Sequence, residues 1–185
     1  MSSSAQPRYY FAYGSNLSPT QMALRCPSSE PVGLAHLPHY AFIINSRRYA
    51  NVVPAPDSGA AAPGVYGVLY DLHPDDETVL DRCEGVPVAY QKEILPVTVV
   101  TTIGSSSLAE QSSIRALIYI DHVRQDGSTP WPEYIDRVNR GVDEATARFG
   151  LPAGYVDEVI RKWIPAPGTP DGGPEGAGAI EDPFL

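Results

Sequence analysis

The sequence predicts an α+β domain, and three observations lead there. Five short runs rich in aromatic and β-branched residues fall in the first two-thirds of the chain. Apolar residues at a sustained helical spacing appear only after Trp131. Strand and helix signals do not alternate regularly, which favours a mainly antiparallel or mixed sheet with helices around it over βαβ repetition.

The first strand is Tyr9-Tyr10-Phe11-Ala12-Tyr13, ending at Gly14. Ser18-Pro19 reads as an N-cap with proline at the first helical position, leading a helix through Met22 and Leu24. Tyr40 to Ile44 is the second strand and Val65 to Tyr70 the third, where Gly67 marks a bulge or a close backbone approach. Asp75-Asp76-Glu77 places acids in the first turn of a helix carrying Val79 and Leu80. Ile94 to Val100 is the fourth strand, with Pro96 suggesting an edge. Gly104-Ser105-Ser106-Ser107 interrupts it from the fifth, Ala116 to Ile120. After Trp131-Pro132, the positions Tyr134, Ile135, Val138, Val142, Ala145 and Phe149 form one amphipathic face that Gly150 terminates. Pro152 opens a last helix through Val156, Val159, Ile160 and Trp163. Residues 1–8 form an N-terminal extension, 9–164 the domain, and 165–185 a tail in which about half the residues are Pro or Gly. The composition reads as a solvated tail, although Ile180, Pro183, Phe184 and Leu185 give it an apolar hook; the alternative is that Ile180, Phe184 and Leu185 dock on the domain and border a pocket.

Composition narrows the function. Thirteen Lys and Arg against twenty-two Asp and Glu give a net charge of −9, a poor match to nucleic-acid or anionic-membrane partners. No apolar run is long enough to span a bilayer, and the N-terminus lacks the charged and apolar regions of a secretory signal, so a cytoplasmic protein is expected. Cys26 and Cys83 are too few for a disulfide framework. His36, His39, His73 and His122 do not fall at metal-ligand spacing. Phosphate-loop and dinucleotide glycine patterns are missing, and Ser15 lacks the flanking glycines of a nucleophile elbow.

Two segments hold the chemistry. In Tyr10-Phe11-Ala12-Tyr13-Gly14-Ser15-Asn16-Leu17 a strand breaks into a small polar turn before a helix. Such a turn either cradles a carboxylate or oxyanion with backbone donors, Gly14 supplying unusual φ, or simply connects two elements. In Leu80-Asp81-Arg82-Cys83-Glu84-Gly85-Val86, Glu84 stands where a helix stops. A helix C-terminus disfavours negative charge and raises a carboxyl pKa toward the acid/base range, although most glutamates at helix ends are simply solvated.

Taken in order, YFAYGSNL, then LDRCEGV with a tyrosine shortly after, resemble the γ-glutamylcyclotransferase family. The likeness extends through Ala50 to Pro54, Val65 to Tyr70, Pro132-Glu133-Tyr134 and Gly150-Leu151-Pro152. It implies a small mixed β-barrel with flanking helices, no metal or cofactor, and conversion of a γ-glutamyl amine or amino acid to 5-oxoproline. By position it implies that Tyr10, Phe11, Ala12, Tyr13, Gly14, Ser15, Asn16 and Leu17 hold the γ-glutamyl unit. Glu84 matches the catalytic glutamate, and Tyr90 and Tyr134 match ligand-facing tyrosines, Tyr90 lying six residues after Glu84. Glu84 would take a proton from the α-amine, the amine would close on the γ-carbonyl, and Glu84 would return the proton to the leaving amine.

The amine half of the substrate stays open, with Arg47, Arg48 and residues 104–113 as candidate contacts; Arg47 and Arg48 either bind a substrate carboxylate or form a solvated basic pair, the commoner role of such residues. Also open are a γ-glutamylamine cyclotransferase, a pathway-dedicated enzyme trimming glutathione-derived adducts, and a non-catalytic γ-glutamyl binding module. A homodimer is also left open.

Overall fold

The computed structural model describes residues 8–55, 64–104, 108, 111–172 and 182–184. Among these residues seven strands run in chain order as β1 (Tyr9–Ala12), β2 (Glu30–Leu37), β3 (Tyr40–Ile44), β4 (Ala50–Pro54), β5 (Val65–Asp71), β6 (Gln91–Thr102) and β7 (Ser113–Ile120). Four helices accompany them: α1 (Pro19–Arg25), α2 (Pro74–Cys83), α3 (Pro132–Phe149) and α4 (Ala153–Glu158). Five strands close a barrel in the order β1-β5-β2-β6-β7. Every ladder is antiparallel except the closing one, where β1 lies parallel to β7 with Tyr10 beside Leu117. The mixed barrel with flanking helices is therefore present. β3 and β4 form a separate two-stranded hairpin.

The core is drawn from both faces of the central strands, with all four residues of β1 buried and consecutive residues buried in β5 and β7. Phe11, Leu34, Val68, Leu69, Leu117 and Ile118 are fully buried, and Leu17 and Met22 close the packing from the α1 side. Gly67 is needed for a close approach: a Cβ there would sit 2.7 Å from the Phe11 ring and from the Ala12 carbonyl oxygen. Pro96 pairs with Arg115 of β7, whereas β2 pairs β6 only over Thr98–Thr102. Pro96 is thus at an edge locally, on a strand whose other half is central.

Three of the four helix signals hold; the last helix stops at Glu158, and Ile160–Lys162 form a separate 3-10 turn before Trp163. Ser18 caps α1, its Oγ accepting the Gln21 N–H at 3.1 Å. The amphipathic stretch is α3, and Gly150 ends it with φ of 72°. Two strands, β2 and β4, carried no strand signal. β2 is interrupted by register shifts at Pro31–Gly33 and Leu34–Ala35, which break its alternation. Among the described residues no helix is long and apolar enough to cross a membrane. Residues 105–107 of the serine loop lie outside the described residues.

Candidate active site

The turn after β1 is built from polar contacts beneath it. Ser15–Leu17 form one 3-10 turn. Gln21 Nε2 donates to Ser15 Oγ (2.9 Å) and Asn16 Oδ1 (2.8 Å). Arg137 donates to Gln21 Oε1 (2.8 Å) and Ser15 Oγ (3.2 Å). The Tyr70 hydroxyl donates to the Asn16 carbonyl at 2.8 Å, and Asn16 Nδ2 donates to the Tyr10 hydroxyl at 3.0 Å. These groups are buried, so the turn is fixed before any ligand arrives. The reason for glycine at position 14 differs from the one expected. Its φ of −105° is ordinary in sign. The requirement is space: a Cβ would lie 2.6 Å from the Tyr134 hydroxyl and 3.1 Å from the Ala50 Cβ.

Glu84 is the C-cap of α2, its N–H donating to Leu80 O at 2.9 Å. Its side chain is 17% exposed and approaches Arg25 Nη1 at 3.7 Å. Burial pushes its pKa above the ordinary carboxylate value, more than the nearby Arg25, Arg137 and Arg47 pull it down. The raised pKa agrees with the sequence expectation, but the dominant cause is burial and not the helix end.

Glu84 and the turn face one cavity of about 530 Å³, solvent at its mouth included. Tyr10, Tyr13, Gly14, Ser15, Asn16, Glu84, Tyr90 and Tyr134 all line it. Phe11, Ala12 and Leu17 are fully buried and do not line it; they are the apolar floor that holds the turn. Tyr13 donates to Tyr119 O at 2.6 Å and Tyr90 to Ala50 O at 2.6 Å. Burial raises the pKa of Tyr10, Tyr13 and Tyr90 well above normal, keeping these phenols neutral. Arg47 also lines the cavity, whereas Arg48 stacks on Trp131 at 4.0 Å and donates to the Thr129 and Pro130 carbonyls. Arg48 therefore fixes a loop.

Sequence reasoning missed Arg25 and Arg137, both lining the cavity and almost fully buried. The tail attaches by more than the apolar contact expected of its hook. Phe184 borders the cavity, 5.8 Å from the Tyr49 ring, yet it remains 40% exposed. The anchor is Asp182, whose carboxylate accepts Arg25 Nε (2.6 Å) and Nη2 (2.8 Å) and lies 3.5 Å from Arg137. Ile180 and Leu185 fall outside the described residues.

Burial alone would raise the Asp182 pKa, but the Arg25 hydrogen bonds and the two arginine charges outweigh it and hold the group below the usual carboxylate range. A depressed folded pKa gives stability that is complete above the unfolded value, about 3.9, and is lost as pH falls through the folded one. The segment carrying Asp182 should therefore become accessible to protease in acid. Asp182→Ala should expose it at neutral pH too, with a loss limited to about 1–3 kcal/mol because release of the segment lets water reach Arg25. Proteolysis and amide exchange unchanged in the variant would show that the ion pair does not hold the segment.

The matching family is described as gamma-glutamyl cyclotransferase, AIG2-like, and the match spans residues 10–134. The chain belongs to this family. Among solved structures it is similar to one titled gamma-glutamyl cyclotransferase (TM-score 0.67, 20% identity, covering 97% of this chain and 96% of that one). It is also similar to an uncharacterized protein from Homo sapiens (TM-score 0.68, 21% identity, 97% and 96%). YkqA from Bacillus subtilis matches at a TM-score of 0.64 and 19% identity over 89% of this chain and 56% of that one. At these identities the likeness shows the fold. No curated protein matches the chain.

Proposed function

We propose that this chain is a γ-glutamylcyclotransferase that closes a γ-glutamyl amino acid or peptide into 5-oxoproline and releases the amine-bearing product. One observation carries the reading. A single carboxyl with a raised pKa, Glu84, shares a cavity with a rigid polar turn and four neutral tyrosines, Tyr10, Tyr13, Tyr90 and Tyr134.

The α-ammonium of the γ-glutamyl unit must lose a proton before its nitrogen can attack. Glu84 in its ionised form accepts that proton. The nitrogen then forms a bond to the γ-carbonyl carbon, whose oxygen takes the negative charge beside the backbone of the Gly14 turn. Collapse breaks the bond to the leaving nitrogen. In all, the α-nitrogen gives up two protons on becoming a lactam N–H, and the leaving nitrogen gains two on departing as an ammonium, with Glu84 as the relay. Because the attack is intramolecular, the cavity's main task is to hold the folded-back conformer.

The test is direct. The protein is incubated with γ-glutamyl-alanine, a γ-glutamyl amine, glutathione and a glutathione S-conjugate, and 5-oxoproline is measured. Release from at least one is the expected result. No 5-oxoproline from any of them would refute the reading.

A further inference from the structure

We infer that Arg47 is a binding residue for a carboxylate on the leaving half of the substrate, so that the preferred substrates are γ-glutamyl amino acids and not γ-glutamyl amines. This inference rests on the cyclotransferase reading above.

The charge of the cavity points to an anionic ligand. A chain of net charge −9 lines this one cavity with three arginines, Arg25, Arg47 and Arg137, and a single carboxylate, Glu84. Two of the three are occupied. Arg25 is held by both Asp182 oxygens, and Arg137 by Gln21, Ser15 and Glu133. Arg47 Nη1 is buried and has no hydrogen-bond partner among the described residues. An orphaned charged donor at a cavity wall is costly unless a ligand supplies its acceptor.

The position of Arg47 fits the leaving half. Tyr134 touches Gly14, the Tyr49 ring packs edge-on to Tyr134 at 5.0 Å, and the Arg47 guanidinium lies over Tyr49 at 5.9 Å. Arg47 is thus linked to the turn through the Tyr49 and Tyr134 rings, and it also stands 5.6 Å from the Tyr90 ring. A γ-glutamyl unit seated at the Gly14 turn would direct its amide substituent along this wall. The guanidinium still reaches Glu84 electrostatically, which keeps it on the reacting side of the cavity.

The loop is rigid enough to make such a contact specific. Arg47 N–H donates to Asn45 Oδ1 at 3.0 Å, and its carbonyl accepts Trp131 Nε1 at 3.1 Å. Asn45 in turn donates to Asp121 at 3.0 Å. The backbone beneath the guanidinium is thus tied to β7 and to the start of α3. Holding the cation in place beforehand lowers the ordering cost of binding.

Two matched substrates decide it. γ-Glutamyl-alanine and γ-glutamyl-ethylamide differ only in the leaving-group carboxylate and share the γ-glutamyl α-carboxylate. Wild type should favour the alanine compound in kcat/KM by about ten- to a hundredfold, the range of a charged hydrogen bond. Arg47→Met should bring that ratio close to one, and Arg47→Lys should restore part of it. A wild-type ratio near one overturns the inference whether or not the variants fold. An equal fall for both substrates in Arg47→Met also overturns it, because Arg47 would then serve the γ-glutamyl end. If wild type turns over glutathione or its S-conjugate but neither of these two compounds, the inference is overturned and the cyclotransferase reading stands; only the absence of 5-oxoproline from every substrate makes that reading itself fail.

Discussion

Glu84→Gln should abolish nearly all 5-oxoproline release while leaving a protein at least as stable as wild type. Glutamine keeps the size of the side chain and most of its hydrogen bonding but cannot accept the ammonium proton. Losing a positioned acid/base group costs roughly a hundredfold to ten-thousandfold in rate, about 3–5 kcal/mol of barrier. Stability should move the other way. The folded protein holds the Glu84 pKa above its ordinary value, chiefly by burial. A raised folded pKa means the stability associated with the proton is complete below the unfolded value, about 4.3, and is lost as pH rises through the folded one. At neutral pH wild type carries that loss and the glutamine variant does not. Its melting temperature should equal or exceed that of wild type at neutral pH, with the difference vanishing below about pH 4. The same raised pKa places the acid limb of kcat/KM above that of an ordinary glutamate. Turnover within about threefold of wild type would remove Glu84 from the mechanism.

Much of this site was legible in the sequence because its parts are local. Gly14-Ser15-Asn16 and Glu84 each sit in a short segment whose residue types announce a turn or a helix end, and the order of those segments carries the family resemblance. Their meeting in one cavity is set by the fold: the end of β1 pairs with β5, and α2, which Glu84 caps, follows β5 in the chain. The roles of the arginines were not legible. Arg25 in α1 and Arg137 in α3 look like ordinary charges on amphipathic helices, and only the fold turns both onto Asp182. The tail shows the same limit: hydrophobicity drew attention to Phe184, whereas the segment is held by an ion pair across 157 positions of sequence. Arg47 and Arg48 are neighbours of identical type, and nothing local separates the cation that stacks on Trp131 from the one that faces the cavity.

Gly14→Val should cripple ligand binding through the hydroxyl that glycine makes room for. The first atom of any side chain there would stand 2.6 Å from the Tyr134 oxygen and 3.1 Å from the Ala50 Cβ, closer than such contacts allow. Tyr134 cannot give way cheaply: its ring is buried, packs edge-on against Tyr49 at 5.0 Å, and lies 5.4 Å from the Arg137 guanidinium. Its hydroxyl also accepts the Ser15 N–H at 3.3 Å. Relief of the clash must therefore shift the turn, the tyrosine, or both, and each of them faces the cavity. The cost to folding is that of an overpacked core, about 1–3 kcal/mol, within what a domain of this size tolerates. Binding should suffer more, because a displacement of about 1 Å at a positioning group is enough to lose roughly a hundredfold. Gly14→Ala separates steric exclusion from general damage: one methyl meets the same hydroxyl without the branched carbons, so its affinity should fall between wild type and Gly14→Val. Affinity for 5-oxoproline measured by calorimetry checks both, with circular dichroism confirming the fold. Wild-type affinity in the valine protein would show that the turn is only a connection between β1 and α1.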